Sequence, residues 1–390
     1  MNKVMQLAKE FEPWTIETRR YFHRHPEVSM QEFETTKKIA EILEELGVEY
    51  ETFKNCPGVI AKIVGKHPGK TVALRADIDA LSIYQMNDVP YKSTSDGVMH
   101  ACGHDAHIAM NLSAVKILKE FEDEVAGTVY FLFQPAEETA EGAKLFMQQG
   151  SWYQEVDNIF GIHIWSNMDT GTVSVEAGPR MAAADWFKIK VLGASGHGAQ
   201  PEQTIDATVV SAAMVMNLQT LVSREFSPHD PLVVTVGKLH SGSRFNVISG
   251  EAKLEGTCRY FSTDIQKKIA KTITLVVQET ARTFRAEAEV EYLHATVPLA
   301  NEETSSAIAQ QAVVKTMGDQ ALQLFPATMG GEDFSFYLEN KPGCFAFVGS
   351  RNKELKTDFP HHHECFDVDE AALKNGAALY AQYALDFLSQ

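Results

Sequence analysis

VYFLFQPAEE, residues 129–138, predicts a buried strand that ends in a pair of acidic residues. Its apolar part is too short for a helix and is rich in β-branched and aromatic residues, as expected for a strand covered on both faces. TVALRA at 71–76 and IFGI at 159–162 have the same format. Such unbroken runs favour the central strands of an open α/β sheet.

Ionisable side chains follow all three predicted strands. They are Asp77 and Asp79 after the first strand, Glu137 and Glu138 after the second, and His163 after the third. In open α/β sheets the loops at the carboxyl ends of the strands line the ligand crevice. We therefore expect these side chains to converge, although they lie far apart in the sequence.

A different pattern occupies the middle of the chain. Between residues 183 and 293 the predicted strands and helices follow the order β-α-β-β-α-β, which is typical of a ferredoxin-like α+β domain. The residues on either side, 1–182 and 294–390, then form one discontinuous domain. The sequence predicts an α/β fold in which a larger domain, with a mixed sheet and helices on both faces, carries the inserted ferredoxin-like domain.

The composition argues against several classes of protein. With 35 Lys and Arg against 52 Asp and Glu, the 390-residue chain has a net charge of −17, and its sequence contains no basic run to attract nucleic acid. No apolar stretch approaches the length of a membrane span, and the first residues lack the apolar core of a signal peptide. The five cysteines are odd in number and scattered, which argues against a disulfide framework. We therefore expect a cytoplasmic protein without a nucleic-acid or membrane partner.

A candidate metal site begins with Cys102 and His104, which lie between the first two strands, ahead of a predicted helix with Asp105 as its N-cap. A Cys-x-His pair alone is weak evidence. Here it accompanies the acidic pair, His163 and a late run of histidines at 361–363. Thiolate, imidazole and carboxylate together form a ligand set for a transition metal. In a pair of adjacent carboxylates, one can bind the metal while the other acts as a general base. A solvated acidic turn is the alternative, and it would have the same sequence.

Nine motifs extend, in order, over nearly the whole chain. They are RRYFHRHPE (19–27), RADIDAL (75–81), MHACGHDAH (99–107), FQPAEE (133–138), GIH (161–163), GHGAQP (196–201), FNVI (245–248), GGEDFSFY (330–337) and HHHECFDVDE (361–370). Together they resemble the bacterial amidohydrolases, a group that includes N-acyl-amino-acid aminoacylases, hippurate hydrolase, N-acetyldiaminopimelate deacetylase and the plant auxin-conjugate hydrolases. That group is a branch of the dinuclear metallopeptidases related to carboxypeptidase G.

The resemblance implies two divalent metal ions in each subunit, zinc or manganese. The implied ligands are Cys102, His104, Glu138, His163 and His362. His362 is preferred among the late histidines because it lies four residues before Phe366, the position of the family's ligand. Glu137 matches the general base, which takes a proton from the metal-bound water and passes it to the leaving amine. Asp77 matches an acid that orients a ligand imidazole, a role that Asp79 could share.

The resemblance also implies that the inserted domain acts as a lid and forms dimers. His197, in Gly-His-Gly, matches a donor to the transition-state oxyanion that in the family reaches the active site of the neighbouring subunit. Asn246 matches a substrate-contacting residue, and Arg259 is a candidate to bind the free carboxylate of the substrate. A strand-end turn and a surface salt bridge are the alternative roles of these two residues. A homodimer or a dimer-based tetramer is expected.

The remaining histidines of the motifs are expected to serve the structure. A histidine near a helix is more often packed and hydrogen-bonded than a ligand, which applies to His23, His25 and His107. The sequence leaves the role of His100 open. Ser82 and Glu364 stand where the family usually has proline; both changes affect the rim of the site and remove no ligand.

The expected function is metal-dependent hydrolysis of the amide bond of N-acyl amino acids. An aminopeptidase or dipeptidase acting on short peptides is the alternative within the same chemistry. A non-catalytic relative that binds a small molecule is the alternative outside it. The presence of the base, the ligands and the orienting acid together favours an enzyme.

Overall fold

The computed structural model describes residues 2–390. The helices are α1 Lys3–Arg24, α2 Phe33–Glu45, α3 His104–Lys119, α4 Gly142–Phe146, α5 Trp152–Glu155, α6 Ala207–Leu218, α7 Thr263–Thr283, α8 Glu303–Met317, α9 Ser335–Leu338 and α10 Leu373–Leu388. The strands are β1 Glu49–Phe53, β2 Cys56–Val64, β3 His67–Asp77, β4 Ala126–Gln134, β5 Asn158–Asp169, β6 Val173–Ser174, β7 Gly178–Met181, β8 Ala183–Leu192, β9 Gly196–His197, β10 Leu232–Ser241, β11 Val247–Ile248, β12 Glu251–Tyr260, β13 Glu287–His294, β14 Leu299–Asn301 and β15 Gly343–Arg351. Among these described residues no helix combines the length and the apolar character needed to cross a bilayer.

The chain forms two compact units. The first consists of the chain up to Arg180 together with Ala300–Pro326 and Phe336–Gln390. The second consists of Met181–Leu299 and Ala327–Ser335. It extends beyond the limits of 183 and 293 that the sequence suggested for the inserted domain, and it includes a separate segment that the sequence assigned to the other domain.

The first unit is built on a mixed seven-stranded sheet with the order β1-β2-β4-β3-β5-β15-β6. The central strands β4, β3, β5 and β15 run parallel to one another, and the flanking strands are antiparallel to their neighbours. TVALRA, VYFLF and IFGI lie in β3, β4 and β5, and they are almost entirely buried, as predicted. β5 is longer than expected, because its pairing with β15 continues to Asp169, and His163 therefore lies inside the strand rather than after it.

Helices α1, α3 and α10 pack against one another, and α3 and α10 also pack on β3. α3 begins at His104, after Gly103 with a φ of 92°, so the prediction of Asp105 as its N-cap was wrong. Asp105 lies in the first turn, where its Oδ2 is 2.7 Å from Arg19 Nε and 2.8 Å from His23 Nδ1. Its carboxylate is engaged in this buried ion pair and does not cap the helix.

The second unit contains a four-stranded antiparallel sheet with the order β10-β12-β8-β13. With α6 and α7 packed against each other and on this sheet, the chain order β8-α6-β10-β12-α7-β13 is the predicted ferredoxin-like arrangement. Apolar residues of the strands and of both helices form its core, among them Phe187, Ile189, Leu254, Ile269 and Ile273. A separate two-stranded ribbon of β9 and β11 pairs His197 with Val247.

Candidate metal centre

Parallel strands bring the predicted site residues to one edge of the first unit's sheet. The register pairs Asp77, at the end of β3, with Gln134, at the end of β4. It also pairs Arg75 of β3 with Gly161 of β5, two residues before His163. The acidic pair begins three residues after β4 ends, and the ionisable groups of the three strands do converge.

Two groups of donor atoms share the thiol of Cys102. In the first group Cys102, His104 and His163 are buried, and their ligand atoms lie within 4.8 Å of one another. In the second group Cys102, Glu138 and His362 meet the same 4.8 Å limit. Cys102 Sγ lies 3.4 Å from His163 Nε2, and His362 Nε2 lies 3.4 Å from Glu138 Oε1. The structure thus brings together the five side chains that the resemblance implied as ligands.

Glu137 lies beside these donors. Its carboxylate, His104 and Glu138 form a further group with ligand atoms within 4.8 Å of one another. Both glutamates are half-buried, whereas His362 has 52% of its side chain accessible. The group is therefore buried at Cys102 and open to solvent at His362, so a ligand from solution can reach it.

Hydrogen bonds fix which nitrogen carries the proton in both buried imidazoles. His104 Nδ1 lies 2.9 Å from the carbonyl oxygen of Asp79 and 3.0 Å from Asp79 Oδ1, and both oxygens accept. His163 Nδ1 donates to the carbonyl oxygen of Ile164 at 2.6 Å. Since Nδ1 holds the proton in each neutral ring, Nε2 is the atom that offers a lone pair to a metal.

Unpaired polar atoms in these groups also fit a metal ion. His104 Nε2 and Glu138 Oε1 are buried and have no hydrogen-bond partner within residues 2–390, although buried polar atoms nearly always have one. Burial, reinforced by the Glu138 carboxylate, raises the pKa of the Cys102 thiol, so the thiolate form needs a nearby cation. Thiolate, imidazole and carboxylate donors at this spacing suit zinc or a related transition metal.

Asp79, rather than Asp77, holds the Nδ1 atom of His104. Asp77 Oδ2 lies 3.6 Å from Nε2 of that ring, and the Asp77 carboxylate binds Arg75 Nη1 at 2.7 Å and His107 Nδ1. Burial raises the pKa of Asp77, but its electrostatic interactions with His104, His107 and Arg75 and its hydrogen bond with His107 outweigh burial and hold that pKa well below its usual range. Asp77 is therefore ionised, and its main partners are not the ones that the sequence suggested.

His107 ties this acid to β5, a role that sequence reasoning missed. The Ile164 N–H donates to His107 Nε2 at 2.8 Å, so the ring proton lies on Nδ1 and is donated to Asp77. The contacts fix the backbone next to His163. The spacing was the available sign, because residues three apart in α3 share one helix face, and the rings of His104 and His107 stack with centroids 5.4 Å apart.

Two further histidines, the half-buried His361 and the buried His100, lie next to the donor groups. His361 Nε2 accepts the Ser166 N–H at 3.3 Å, its ring centroid lies 5.1 Å from that of His163, and burial lowers the pKa of His361 to about 3. His100 has no hydrogen-bond partner for either ring nitrogen in the described chain, and burial lowers its pKa to about 4. Both rings are therefore neutral at physiological pH.

The three candidate substrate residues all lie in the second unit. His197 is exposed, and its Nδ1 accepts the Ala199 N–H at 3.0 Å. Asn246 is exposed beside it, and its carbonyl oxygen accepts the Gly198 N–H at 3.0 Å. Arg259 is half-buried in β12, and burial lowers the pKa of its guanidinium. His197 and Asn246 are thus close neighbours, whereas Arg259 lies on the four-stranded sheet.

Comparison with known proteins identifies the family. The model of peptidase family M20/M25/M40 matches residues 73–386. The chain belongs to this family. The M20 chain is 37% identical over 392 residues to thermostable carboxypeptidase 2 of Saccharolobus solfataricus, covering 99% of this chain and 98% of that one. It is 37% identical over 380 residues to the N-acetyl-L-cysteine deacetylase of Bacillus subtilis, covering 95% of this chain and 89% of that one.

Solved structures place the M20 chain in the same fold. A Bacillus subtilis protein described as a dinuclear metal binding peptidase from the M20 family matches it with a TM-score of 0.85 and 34% identity, covering 98% of this chain and 99% of that one. M20 enzymes are metal-dependent hydrolases that act on amide bonds. The predicted family, fold class and reaction class are therefore confirmed.

Proposed function

We propose that this M20 enzyme removes the acyl group from N-acyl amino acids, at a site that holds two divalent metal ions. The main support is that one thiol, Cys102, belongs to two groups of three donors each. The substrate class is supported by the relative named N-acetyl-L-cysteine deacetylase, which is 37% identical to this chain. The relative named thermostable carboxypeptidase 2, also 37% identical, keeps peptide hydrolysis as the second candidate.

The proposed metal ligands are those that the sequence implied, namely Cys102, His104, Glu138, His163 and His362. Their support is the approach of the ligand atoms to within 4.8 Å of one another in each group, and the buried His104 Nε2, which has no hydrogen-bond partner in the described chain. When bound, the two ions supply a Lewis acid for the scissile carbonyl and acidify a water molecule. Zinc or manganese is proposed, because thiolate and imidazole suit zinc and the carboxylate also accepts manganese.

The chain's own residues orient the reaction and move the proton. Glu137, half-buried beside His104 and Glu138, is proposed to accept the proton of the attacking water on a carboxylate oxygen and to return it to the leaving amine. Asp79 keeps the His104 ring in the tautomer that leaves Nε2 unprotonated. Asp77, through His107, holds the backbone beside His163.

Residues of the second unit are proposed to bind substrate. Since His197 Nδ1 accepts a backbone N–H, a neutral His197 carries its proton on Nε2, which supports its role as donor to the developing oxyanion. Asn246, exposed on the same ribbon, is proposed to contact the substrate. Arg259, half-buried in β12, is proposed to bind the substrate carboxylate through its guanidinium.

We also propose that the enzyme is a cytoplasmic homodimer or a dimer-based tetramer. Free thiols at all five cysteines support a reducing compartment. Exposed apolar side chains on α6, Val209 at 51% and Met216 at 70% accessible, support an interface formed by the second unit. Light scattering coupled to size exclusion measures the assembly, and a monomer at micromolar concentration would contradict the proposal.

A substrate panel tests the proposed function. The enzyme is assayed with added Zn²⁺ or Mn²⁺ on N-acetyl amino acids, benzoyl-glycine and unblocked dipeptides. We expect the highest kcat/KM on an N-acyl amino acid. Faster turnover of unblocked dipeptides favours the peptidase, and no metal-stimulated hydrolysis of any amide favours a non-catalytic binder.

The Glu137→Gln variant tests the proposed base. It keeps the shape of the side chain but cannot accept the proton, so kcat is expected to fall about 10²- to 10⁴-fold. Its metal content, measured by elemental analysis, is expected to match that of the wild type. Full activity in this variant would remove Glu137 from the mechanism.

A further inference from the structure

Glu32 is a buried carboxyl group that no motif assigned to the site. Its relative accessibility is 0%, and it lies directly before α2, where its carbonyl oxygen accepts the Thr36 N–H at 2.9 Å. Its side chain makes no cap hydrogen bond to this helix. Glu32 Oε1 accepts the N–H of Ala136 at 2.8 Å, across 104 residues of sequence.

Ala136 is the residue at which the chain turns after β4. Its φ is 55°, in the left-handed region that residues other than glycine rarely adopt. Its carbonyl oxygen accepts the Gly142 N–H at 3.1 Å, which closes the turn over residues 136–142. Glu137 and Glu138 follow Ala136 directly, so their direction depends on how this strained residue is held. The bond from Glu32 is the long-range contact that holds its N–H.

A second contact links the same N-terminal segment to the site. Ser29 Oγ donates to Asp79 Oδ2 at 2.7 Å, and that oxygen also accepts the Glu138 N–H at 3.0 Å. The segment 29–32 thus touches both loops that carry acidic residues of the site. Only the Glu32 contact reaches the residue ahead of Glu137.

The charge state of Glu32 suits this position. Burial, and next the negative charge of Asp79, raise the pKa of Glu32 to about 8. At neutral pH the group is therefore an uncharged carboxylic acid, which can lie near the ionised Asp79 without repulsion. An uncharged acid that accepts the Ala136 N–H has the shape and the acceptor of a glutamine side chain.

We propose that Glu32 is a positioning residue for the reaction, because it fixes the Ala136 turn that aims Glu137 and Glu138 at the donor groups. This inference rests on the proposed function, in which Glu137 is the base and Glu138 a ligand. Glu32 itself touches neither the substrate nor the donor atoms of the two groups; it acts through the backbone of Ala136.

Glu27 provides a matched control. It is part of the same N-terminal segment, and its carboxylate accepts the N–H groups of Glu34 at 3.2 Å and Thr35 at 2.7 Å, at the start of α2. Removing it weakens the same helix end. It has no contact with the turn after β4 among the described side-chain hydrogen bonds. Glu27→Ala therefore weakens the start of α2 and leaves the hydrogen bond between Glu32 and Ala136 in place.

The test compares Glu32→Ala, Glu32→Gln and Glu27→Ala with the N-acyl amino acid that the wild-type enzyme turns over fastest in the substrate panel. In Glu32→Ala, kcat is expected to fall about 10- to 100-fold with a much smaller change in KM, since misplacing a reacting group by about 1 Å has that effect. Glu32→Gln is expected to keep the wild-type kcat. Glu27→Ala is expected to lower the melting temperature and to keep the wild-type kcat.

Metal release gives a readout that does not depend on turnover. Because Glu138 lies on the same turn, Glu32→Ala is expected to lose metal to a chelator faster than the wild type, while Glu32→Gln and Glu27→Ala release it at the wild-type rate.

Three results would overturn the proposal. They are a wild-type kcat in Glu32→Ala, a wild-type rate of metal release in Glu32→Ala, and a kcat in Glu32→Gln as low as that in Glu32→Ala. If Glu32→Ala does not fold, Glu32→Asp replaces it in the test. The aspartate side chain is one methylene shorter, so its carboxyl oxygen lies farther from the Ala136 N–H. In that case a kcat of Glu32→Asp equal to that of Glu32→Gln overturns the proposal.

Glu137→Gln, assayed beside these variants, distinguishes a failure of the proposed function from a failure of the role of Glu32 alone. If Glu137→Gln keeps full activity, the proposed function fails and the role of Glu32 fails with it. If Glu137→Gln is inactive while Glu32→Ala keeps its kcat, only the role of Glu32 fails.

Discussion

Asp79 holds three donors with one carboxylate. Its Oδ1 lies 3.0 Å from His104 Nδ1, and its Oδ2 accepts from Ser29 Oγ at 2.7 Å and from the Glu138 N–H at 3.0 Å. Burial raises the pKa of Asp79, but the hydrogen bond and electrostatic interaction with His104, together with the hydrogen bond from Ser29, outweigh burial and lower the pKa. The ionised acid therefore connects an imidazole of one donor group to the backbone of a residue in the other.

The Asp79→Asn variant tests this connection. One amide oxygen has to replace a carboxylate that serves three donors, so we expect metal affinity to fall about 10- to 100-fold. Competition with a chelator measures the affinity. Ser29→Ala, which removes one of the three donors, is expected to stay close to the wild type. Wild-type affinity in Asp79→Asn contradicts the role of this acid.

A second residue-scale prediction concerns the thiols. Cys102→Ala removes the donor that both groups share, so elemental analysis is expected to find less metal per subunit than in the wild type. Cys365→Ala is the matched control, because Cys365 is a partly exposed cysteine outside the donor groups. Undiminished metal in Cys102→Ala is the result that would falsify the assignment of Cys102 as a ligand shared by both groups.

The protonation of Glu32 predicts a pH dependence of stability. Its pKa is raised to about 8 in the folded chain, above the value of about 4.5 expected when unfolded, so between these values the folded state retains a proton that the unfolded state releases. The ionisation therefore lowers wild-type stability progressively as pH rises from about 5 to about 8. Glu32→Gln has no ionisable group at this position and does not lose stability in this way. The melting temperature of Glu32→Gln minus that of the wild type is therefore expected to increase as the pH rises over this range. A difference that stays constant with pH contradicts the raised pKa.

The sequence predicted which residues gather at the site better than it predicted how they are held. Cys102 and His362 could be chosen from motif spacing. The roles of Asp79, His107 and Glu32 depend on which donor lies within reach of each buried oxygen or nitrogen. These distances depend on the register of the strands and on loops that are far apart in the sequence. A local sequence pattern contains no information about either.

At the scale of elements, Gly103 determines where α3 begins. Its φ is 92°, and a Cβ at this position would lie 2.4 Å from Ile164 Cγ2, in the strand that carries His163. Cys102 and His104 flank this glycine on either side. The start of the helix and the strand can therefore approach closely enough to share a donor group.

Gly103→Ala is expected to lower stability by at least about 1 kcal/mol, because a left-handed backbone disfavours any Cβ, and to lower metal content as well. Gly47→Ala provides the control, since Gly47 has a φ of 65° but no atom within 4 Å of its added Cβ. It is expected to be destabilised and to retain metal. Thermal unfolding and elemental analysis measure both properties, and equal metal content in the two variants contradicts the prediction.

Elements with a clear periodicity were predicted within a few residues. In β13 the three glutamates are exposed and alternate with half-buried Ala288, Val290 and Tyr292, the period of two that is typical of a strand with one covered face. β5 was predicted too short, because its later residues, WSNMD, lack the apolar run of its beginning. Their pairing with β15, rather than their own pattern, extends the strand.

At the scale of the whole molecule, the proposed ligands and the base lie in one unit, and His197, Asn246 and Arg259 lie in the other. Metal binding and substrate binding are therefore expected to respond to different substitutions. The sequence indicated this division through the β-α-β-β-α-β order. It gave no sign that residues 327–335 belong to the second unit, where the Ala182 N–H donates to the Thr328 carbonyl, because this segment has no periodic pattern.

Arg259→Ala tests the division. Loss of a charge-assisted hydrogen bond to the substrate carboxylate is expected to raise KM about 10- to 100-fold, with metal content unchanged. The matched control is the corresponding N-acyl amino acid amide, which lacks the carboxylate and whose KM should change little. An equal rise in KM for the acid and the amide contradicts the carboxylate contact.

The shared thiol makes the centre vulnerable to oxidation at a single atom. Sulfur is the most readily oxidised donor among the five, and on the proposed assignment its conversion to a sulfinate would disturb both donor groups at once. Peroxide treatment of the metal-loaded enzyme is therefore expected to lower its metal content and its activity together.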